Sequence, residues 1–465
     1  MTLWTAAEAA RATGGTTTTD WTASGVSIDS RSLQAGDLFV ALNAARDGHE
    51  FVADALAKGA CAALVSRAPP GVSADAPLLT VADVQQGLED LGRAARDRTS
   101  AKVVAITGSA GKTSTKEMLR EMFAEQGITH ASVASYNNHW GVPLTLARMA
   151  RDVDFAVIEI GMNHPGEIAP LAQQARPDVA VVTTVAEAHL EAFRDVSEIA
   201  GEKAALMSGL QPDGIAVLNA EIETAGVLRH EAEKYGCKAV WFGTASSDAQ
   251  VLKLEQTGNT TLAEILLCGQ KHAMRLNTLG RHFAMNALAA LLAVQCVGAD
   301  LAKALEALET WRPGFGRGAR EKIMFGDGSV DLIDDAYNAN PASMRAALDM
   351  ISASSAPRRI AFLGDMKELG ANEVDQHRAL AQWPALGSLD QIHTVGPLMR
   401  ALHDALPHHA RGIHFTRSDE MAKACHDLLK QNDCVLVKAS LSMGLQQVVD
   451  EMRKLGHSKP DAGSR

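Results

Sequence analysis

The chain has 465 residues, 46% of them hydrophobic and 21% charged, a balance that excludes wholesale disorder and fibrous repeats. Forty-four lysines and arginines against 55 aspartates and glutamates leave a formal net charge of −11, which argues against nucleic acid or an anionic membrane as a partner, because both recruit basic surfaces. At about 150 residues per domain the length fits roughly three domains.

The first segment, residues 1–99, runs through GVSIDSRSLQAGDLFVAL and then alternates short apolar runs with alanine-rich helical pieces, FVADALAKGA and AALVS. It predicts a small α/β domain closed by a polar helix and the linker RDRTS. The second, residues 100–311, opens on KVVAITG and carries further strand patterns in DFAVIEIG, DVAVVTTV and GIAVLN. Helical patterns separate these strands, the arrangement of a mostly parallel sheet wound with helices on both faces. The run ALAALLAVQCVGA after Asn286 is broken by Gln295 and followed by Asp300, so it predicts a buried helix and no membrane insertion. The third segment, residues 312–465, follows the helix LAKALEALET through a junction rich in turn formers, Pro313, Gly314, Gly316 and Gly318. Strands in VDLIDDA, RRIAFLGD, QIHTVG and NDCVLVKAS make it a Rossmann-like α/β domain, and the tail GHSKPDAGSR is expected to fray. Six cysteines without a C-x-x-C pair, and a start without a secretory pattern, place the expected compartment in a reducing cytoplasm.

The strongest chemical signal is Lys102–Phe123, KVVAITGSAGKTSTKEMLREMF. A buried strand leads into Gly108, Ser109, Ala110, Gly111, Lys112, Thr113 and Ser114, and a helix starts at once. Glycines let backbone N–H groups approach a phosphate, and a helix N-terminus offers more of them. Lys112 can reach the β- and γ-phosphates of ATP, and the Thr113 hydroxyl can hold Mg²⁺. Ile106 stands where the longer form of this loop has glycine, so the loop is a shorter T-G-x-x-G-K-T variant. Glu159, at the end of the strand in VIEIG, lies where ligand groups of open parallel sheets gather. With Thr113 and His189 it makes an oxygen and nitrogen set for a divalent metal.

This loop resembles that of the Mur ligases, the ATP-dependent amide-forming enzymes of cell-wall precursor synthesis, and of the related folylpolyglutamate synthetases. SYNNHWGVPLTLARM, VIEIGMNHPGEI, AEAHLEAF, HFAMNALAA, IDDAYNANPASMRAAL and LGDMKELG follow in order along the chain, and they resemble the members that use D-alanyl-D-alanine. The resemblance implies magnesium ligation at Glu159 and His189 and an adenine contact at Asn286, a position that by itself reads as a helix cap. It implies that Arg317 reaches phosphate when the third domain closes, and that Asp335 and Tyr337 meet the nucleotide, with Asp334 competing for that place. Ser30 and Arg31 of the DSR triplet would hold a uridine diphosphate, which suits the bidentate arginine fork. Asn137, Asn138, Asn163 and His164 would line the peptide cleft, although the same residues fit ordinary Asx turns.

Lys203, in SEIAGEKAALM, matches a lysine that carries a carbon dioxide adduct in these ligases; as carbamate it would join the metal ligands. From the residues alone it reads as a solvent-facing helix lysine. Ala439 and Leu441 depart from the glycine and arginine usual after the lysine-containing strand. The implied reaction joins D-alanyl-D-alanine to UDP-N-acetylmuramoyl-tripeptide through an acyl phosphate, with ATP and Mg²⁺, in a monomer. The rivals are a ligase of the same architecture with another substrate and, from a different class, a P-loop regulatory ATPase.

Overall fold

The computed structural model describes residues 2–133 and 135–456; the predicted fraying from residue 457 onward lies outside them. Three α/β units follow one another, each built on its own sheet. In the first, the strands Gly25–Ser27, Asp37–Val40, Ala62–Val65 and Leu78–Thr80 pair in parallel, and Thr16–Thr17 closes one edge antiparallel. Helix Val84–Asp97 ties this unit to the next. Its Arg96 donates to the carbonyls of Ala175 and Arg176, each at 2.9 Å. Trp4 Nε1 donates to Ala147 O at 2.9 Å, while the Arg98 guanidinium lies 3.8 Å from the centre of the Trp4 ring.

The central sheet has nine strands. The predicted strands appear as Lys102–Thr107, Phe155–Glu159, Val179–Val182 and Ile215–Asn219, and they are parallel neighbours. Lys102–Thr107 lies between Phe155–Glu159 and Val179–Val182, in a register that sets Glu159 against Ile106 and Val182 against Thr107. The ends of all three strands therefore open onto the glycine loop. Two further parallel strands, Thr129–Ala131 and Lys238–Gly243, extend the sheet. An antiparallel wing, Ala249–Thr257, Thr260–Leu267 and Gln270–Leu276, continues it on one side.

The predicted buried helix spans Arg281–Cys296, with Ala287 through Val294 all fully buried. A helix apolar on every face needs cover on every face. Here the cover comes from the wing, the glycine-loop helix Lys112–Ala124 and helix Leu301–Thr310. Among the described residues no helix is long and apolar enough to cross a membrane.

The third sheet orders Ala319–Phe325, Gly328–Asp335, Asp433–Lys438, Arg358–Gly364, Gln391–Val395 and Arg411–Phe415, parallel except for its first strand. One apolar cluster runs from the central unit into this one, through Phe283, Trp311 and Met350. Gly318 (φ +91°) sits over the Phe283 ring, where an added Cβ would lie 3.1 Å from it. The turn-rich junction is thus also a close packing contact.

Candidate active site

The glycine loop is shaped by the chain's own contacts. Gly108 (φ +154°) and Gly111 (φ +84°) hold backbone angles that side chains disfavour. An added Cβ would meet Thr183 Oγ1 at 2.0 Å in the first case and Asn286 Oδ1 at 2.5 Å in the second. Ser109 N donates to Thr184 O at 2.8 Å, Ser109 Oγ to Ala186 O at 3.0 Å, and Thr183 Oγ1 to Ala110 O at 2.6 Å. Helix Lys112–Ala124 then starts at Gly111 without a side-chain cap, so its first N–H groups face the cleft as an anion site. Lys112 Nζ donates to Gly108 O at 2.6 Å. Desolvation lowers its pKa below the usual lysine value, with Glu159 pulling upward and Arg317 downward.

Glu159 is 1% exposed. Its Oε1 accepts from Asn137 Nδ2 at 2.8 Å and Thr113 Oγ1 at 3.3 Å, while Oε2 has no hydrogen-bond partner among the described residues. Lys116 Nζ is 3.8 Å from Oε2. A buried carboxylate oxygen that accepts no hydrogen bond, beside a hydroxyl, suits Mg²⁺, which takes one or two protein oxygens and completes its shell with water and phosphate. Among the described residues no group of three or more His, Cys, Asp or Glu side chains forms a metal cage. Lys203 is 1% exposed, so the solvent-facing alternative fails. Its Nζ lies 3.8 Å from Met162 Sδ, and burial lowers its pKa well below the usual value, aided by the charge of Lys112. The preceding residue, Glu202, accepts from Gly166 N and Ile168 N, both at 2.8 Å. That locks the lysine's helix against the loop that carries Met162.

The third unit closes a cleft of about 470 Å³ over these groups. Asn340 Nδ2 donates to Ser109 O at 3.0 Å, and its Oδ1 caps helix Pro341–Ser352 by accepting from Ser343 N at 2.9 Å. Arg317 reaches Ser135 Oγ at 3.0 Å and lies 3.8 Å from the centre of the Tyr337 ring. His189 Nδ1 is 2.6 Å from Glu368 Oε2.

Ser109 through Thr113, Asn137, Asn138, Glu159, Asn163, His189, Arg317 and Tyr337 all line this cleft, and Asn286 abuts it behind Gly111. Several predicted residues are engaged by other partners or lie off the cleft. Asn138 Oδ1 is committed to the N–H groups of Trp140 and Gly141, and His164 pairs with Glu167 at 3.2 Å outside the lining. Asp335 Oδ2 accepts from Lys438 Nζ at 2.6 Å, whereas Asp334 faces Arg453 at 3.1 Å. Ser30 and Arg31 lie on the first unit. The Arg31 side chain is 87% exposed and forks onto Asp29, whose carboxyl it holds down to about 2. Asn340, Lys438 and Glu368 were not singled out from the sequence. Asn340 carried a readable signal, the capping-box string Asn340-Pro341-x-Ser343.

Patterns described as "Mur ligase middle domain", "Mur ligase, glutamate ligase domain" and "Mur ligase family, catalytic domain" match residues 106–294, 320–441 and 22–96. A relative from Escherichia coli named UDP-N-acetylmuramoyl-tripeptide–D-alanyl-D-alanine ligase is 34% identical over 94% of this chain and 95% of its own. The chain belongs to the Mur ligase family. A relative of the same name from Bacillus subtilis is 32% identical over 92% of this Mur ligase and 93% of its own length. Among solved structures, a MurF from Acinetobacter baumannii superposes with a TM-score of 0.85 at 28% identity, covering 97% of this chain and 99% of the other. A MurF from Thermotoga maritima in complex with ADP gives 0.79 at 26% identity, over 93% and 97%. A Mur ligase is a nucleotide-binding ligase, in keeping with the pre-shaped loop and its open helix end.

Proposed function

We propose that the chain joins D-alanyl-D-alanine to UDP-N-acetylmuramoyl-tripeptide, converting ATP to ADP and phosphate, as a cytoplasmic monomer in peptidoglycan precursor synthesis. Residues 1–99 bind the UDP-linked substrate, residues 100–311 bind ATP, and residues 312–465 complete the nucleotide site and admit the dipeptide. One juxtaposition supports the reading above others: a phosphate loop, the buried Glu159 carboxylate and the third unit's Asn340 and Arg317 meet in one cleft. The names of relatives that match from end to end supply the substrates.

The peptide's terminal carboxylate oxygen attacks the γ-phosphorus, and the bond to the β-phosphate oxygen breaks, giving an acyl phosphate and ADP. The dipeptide amine then attacks the acyl carbon and phosphate leaves with its oxygen. A bare carboxylate is too poor an electrophile for the second step without the first. The open helix end at Gly111 and Lys112 hold the phosphates and offset the charge that builds on them. Asn286 meets adenine, and Arg317 reaches the phosphates from the third unit. Holding amine and acyl phosphate together is worth an effective concentration of about 10⁵ M or more.

Thr113, Glu159 and His189 would hold Mg²⁺, which would neutralise phosphate charge. Lys203 is the residue that takes up carbon dioxide. Its burial and lowered pKa favour the neutral amine that carbamylation requires, and the resulting anionic oxygens suit a second Mg²⁺. The test is ATP with UDP-muramoyl tripeptides carrying diaminopimelate or lysine, plus D-alanyl-D-alanine, read by mass spectrometry. A tripeptide that gains the dipeptide is the expected result. ATP turnover without any condensed product would overturn the assignment in favour of a regulatory ATPase.

A further inference from the structure

We propose that Glu368 is a positioning residue: closure of the third unit brings its carboxylate onto His189 and so fixes the imidazole that faces the phosphate site. The inference rests on the preceding reading of His189. Glu368 Oε2 lies 2.6 Å from His189 Nδ1, within ion-pair distance. On the other side of the ring, no hydrogen bond among the described residues engages Nε2. A carboxylate on the second nitrogen of a ligating histidine selects the tautomer, orients the ring and raises its basicity.

Both backbones are held for this contact. His189 (φ +57°) and Glu368 (φ +66°) are among the few non-glycine residues in the left-handed region, a conformation that persists only where surroundings enforce it. For Glu368 the surroundings are a braced loop. Asp365, fully buried, accepts from Leu398 N at 3.1 Å and Met399 N at 2.8 Å. Met366 N donates to His377 Nε2 at 2.9 Å, and Lys367 N to Ser440 Oγ at 2.9 Å.

The loop also fits the one that carries His189. Gln376 Nε2 donates to Glu187 Oε1 at 2.8 Å. Gly370 is so close to Leu190 that an added Cβ would stand 3.0 Å from its carbonyl oxygen. These contacts bridge the central and third units on either side of the His189–Glu368 pair. An open enzyme would lack the pair, so His189 is set only when both units have closed.

The test compares Glu368→Ala and Glu368→Gln in the full chain, using Mn²⁺ in place of Mg²⁺. Mn²⁺ binding to the ADP complex is followed by electron paramagnetic resonance, and closure by solution X-ray scattering. Loss of an outer partner of this kind costs ~10–100-fold in metal affinity or activity. Glu368→Ala should lose Mn²⁺ affinity and kcat in that range while metal-free ADP affinity and the KM for the UDP-linked substrate hold. Glu368→Gln, which keeps the side chain's length and an oxygen for the imidazole to face, should recover part of both. In a His189→Ala background the Glu368 substitution should add nothing. Wild-type Mn²⁺ affinity, kcat and closure in Glu368→Ala would overturn the proposal. If the wild-type enzyme makes no condensed product yet Mn²⁺ binding still weakens in Glu368→Ala, the assigned reaction fails and the positioning role stands.

Discussion

Asn340 does two jobs with one side chain, and the two separate by substitution. Asn340→Ala removes the cap on Ser343 N, worth about 1 kcal/mol. It also leaves the buried carbonyl of Ser109 without its 3.0 Å donor, at a cost of about 1–3 kcal/mol. Asn340→Ser keeps a good capping hydroxyl but is too short to reach Ser109, so it loses only the second term. The first term belongs to the stability of the third unit. The second belongs to docking of that unit on the glycine loop, where about 1–3 kcal/mol is roughly 5- to 150-fold in an equilibrium. Titration calorimetry with ADP should therefore show both variants weakened by a similar factor. Scanning calorimetry should show an extra loss of about 1 kcal/mol for Asn340→Ala alone. Wild-type ADP affinity in Asn340→Ser would refute the docking argument, and identical melting of the two variants would refute the capping one.

Lys112→Ala should lower turnover by roughly 10²–10³-fold with the circular dichroism spectrum unchanged; near-normal turnover would remove Lys112 from the phosphate site. Arg31→Ala should raise the KM for the UDP-linked substrate far more than that for ATP, because a remote grip lost equally in ground and transition states shows in KM; equal effects would make Arg31 structural. Lys203 binds fewer protons folded than unfolded, so in bicarbonate-free buffer stability rises with pH from its lowered folded value up to about 10.5. Lys203→Met should thus stabilise the protein most at neutral pH and progressively less toward pH 10, as followed by thermal melting; a gain independent of pH would contradict the burial of an ionisable amine.

Much of the central unit was legible because its signals are local. KVVAITG, the glycines after it and the helix that follows are contiguous, and strand, loop and helix each carry their own pattern. The buried helix Arg281–Cys296 was legible for the same reason. The antiparallel wing was missed: strand Ala249–Thr257 alternates half-buried and exposed residues such as Lys253, Glu255 and Thr257, a polar pattern that reads as loop until its partners are known. The contacts that build the cleft are long-range, and no window of sequence contains both ends of Asn340–Ser109 or Glu368–His189. Lys203 was ambiguous because its apolar neighbours are the same whether the amine points in or out. Asn138 and His164 drew attention by type and neighbourhood, yet local partners hold both. Asp334 and Asp335 differ in their partners, Arg453 and Lys438, which lie more than a hundred residues downstream.

The crowding at Gly108 and Gly111 has a consequence for descent. Phosphate is the usual reason given for glycine in such a loop, but here Thr183 and Asn286 already occupy the space a methyl group would take. A duplicate of this chain that lost Lys112 or Glu159, and with them any need for ATP, would still meet backbone strain and crowding on alanine at both places for as long as it folded. Glycine there is thus a record of architecture, and its presence in a distant sequence is weak testimony that the sequence still burns nucleotide.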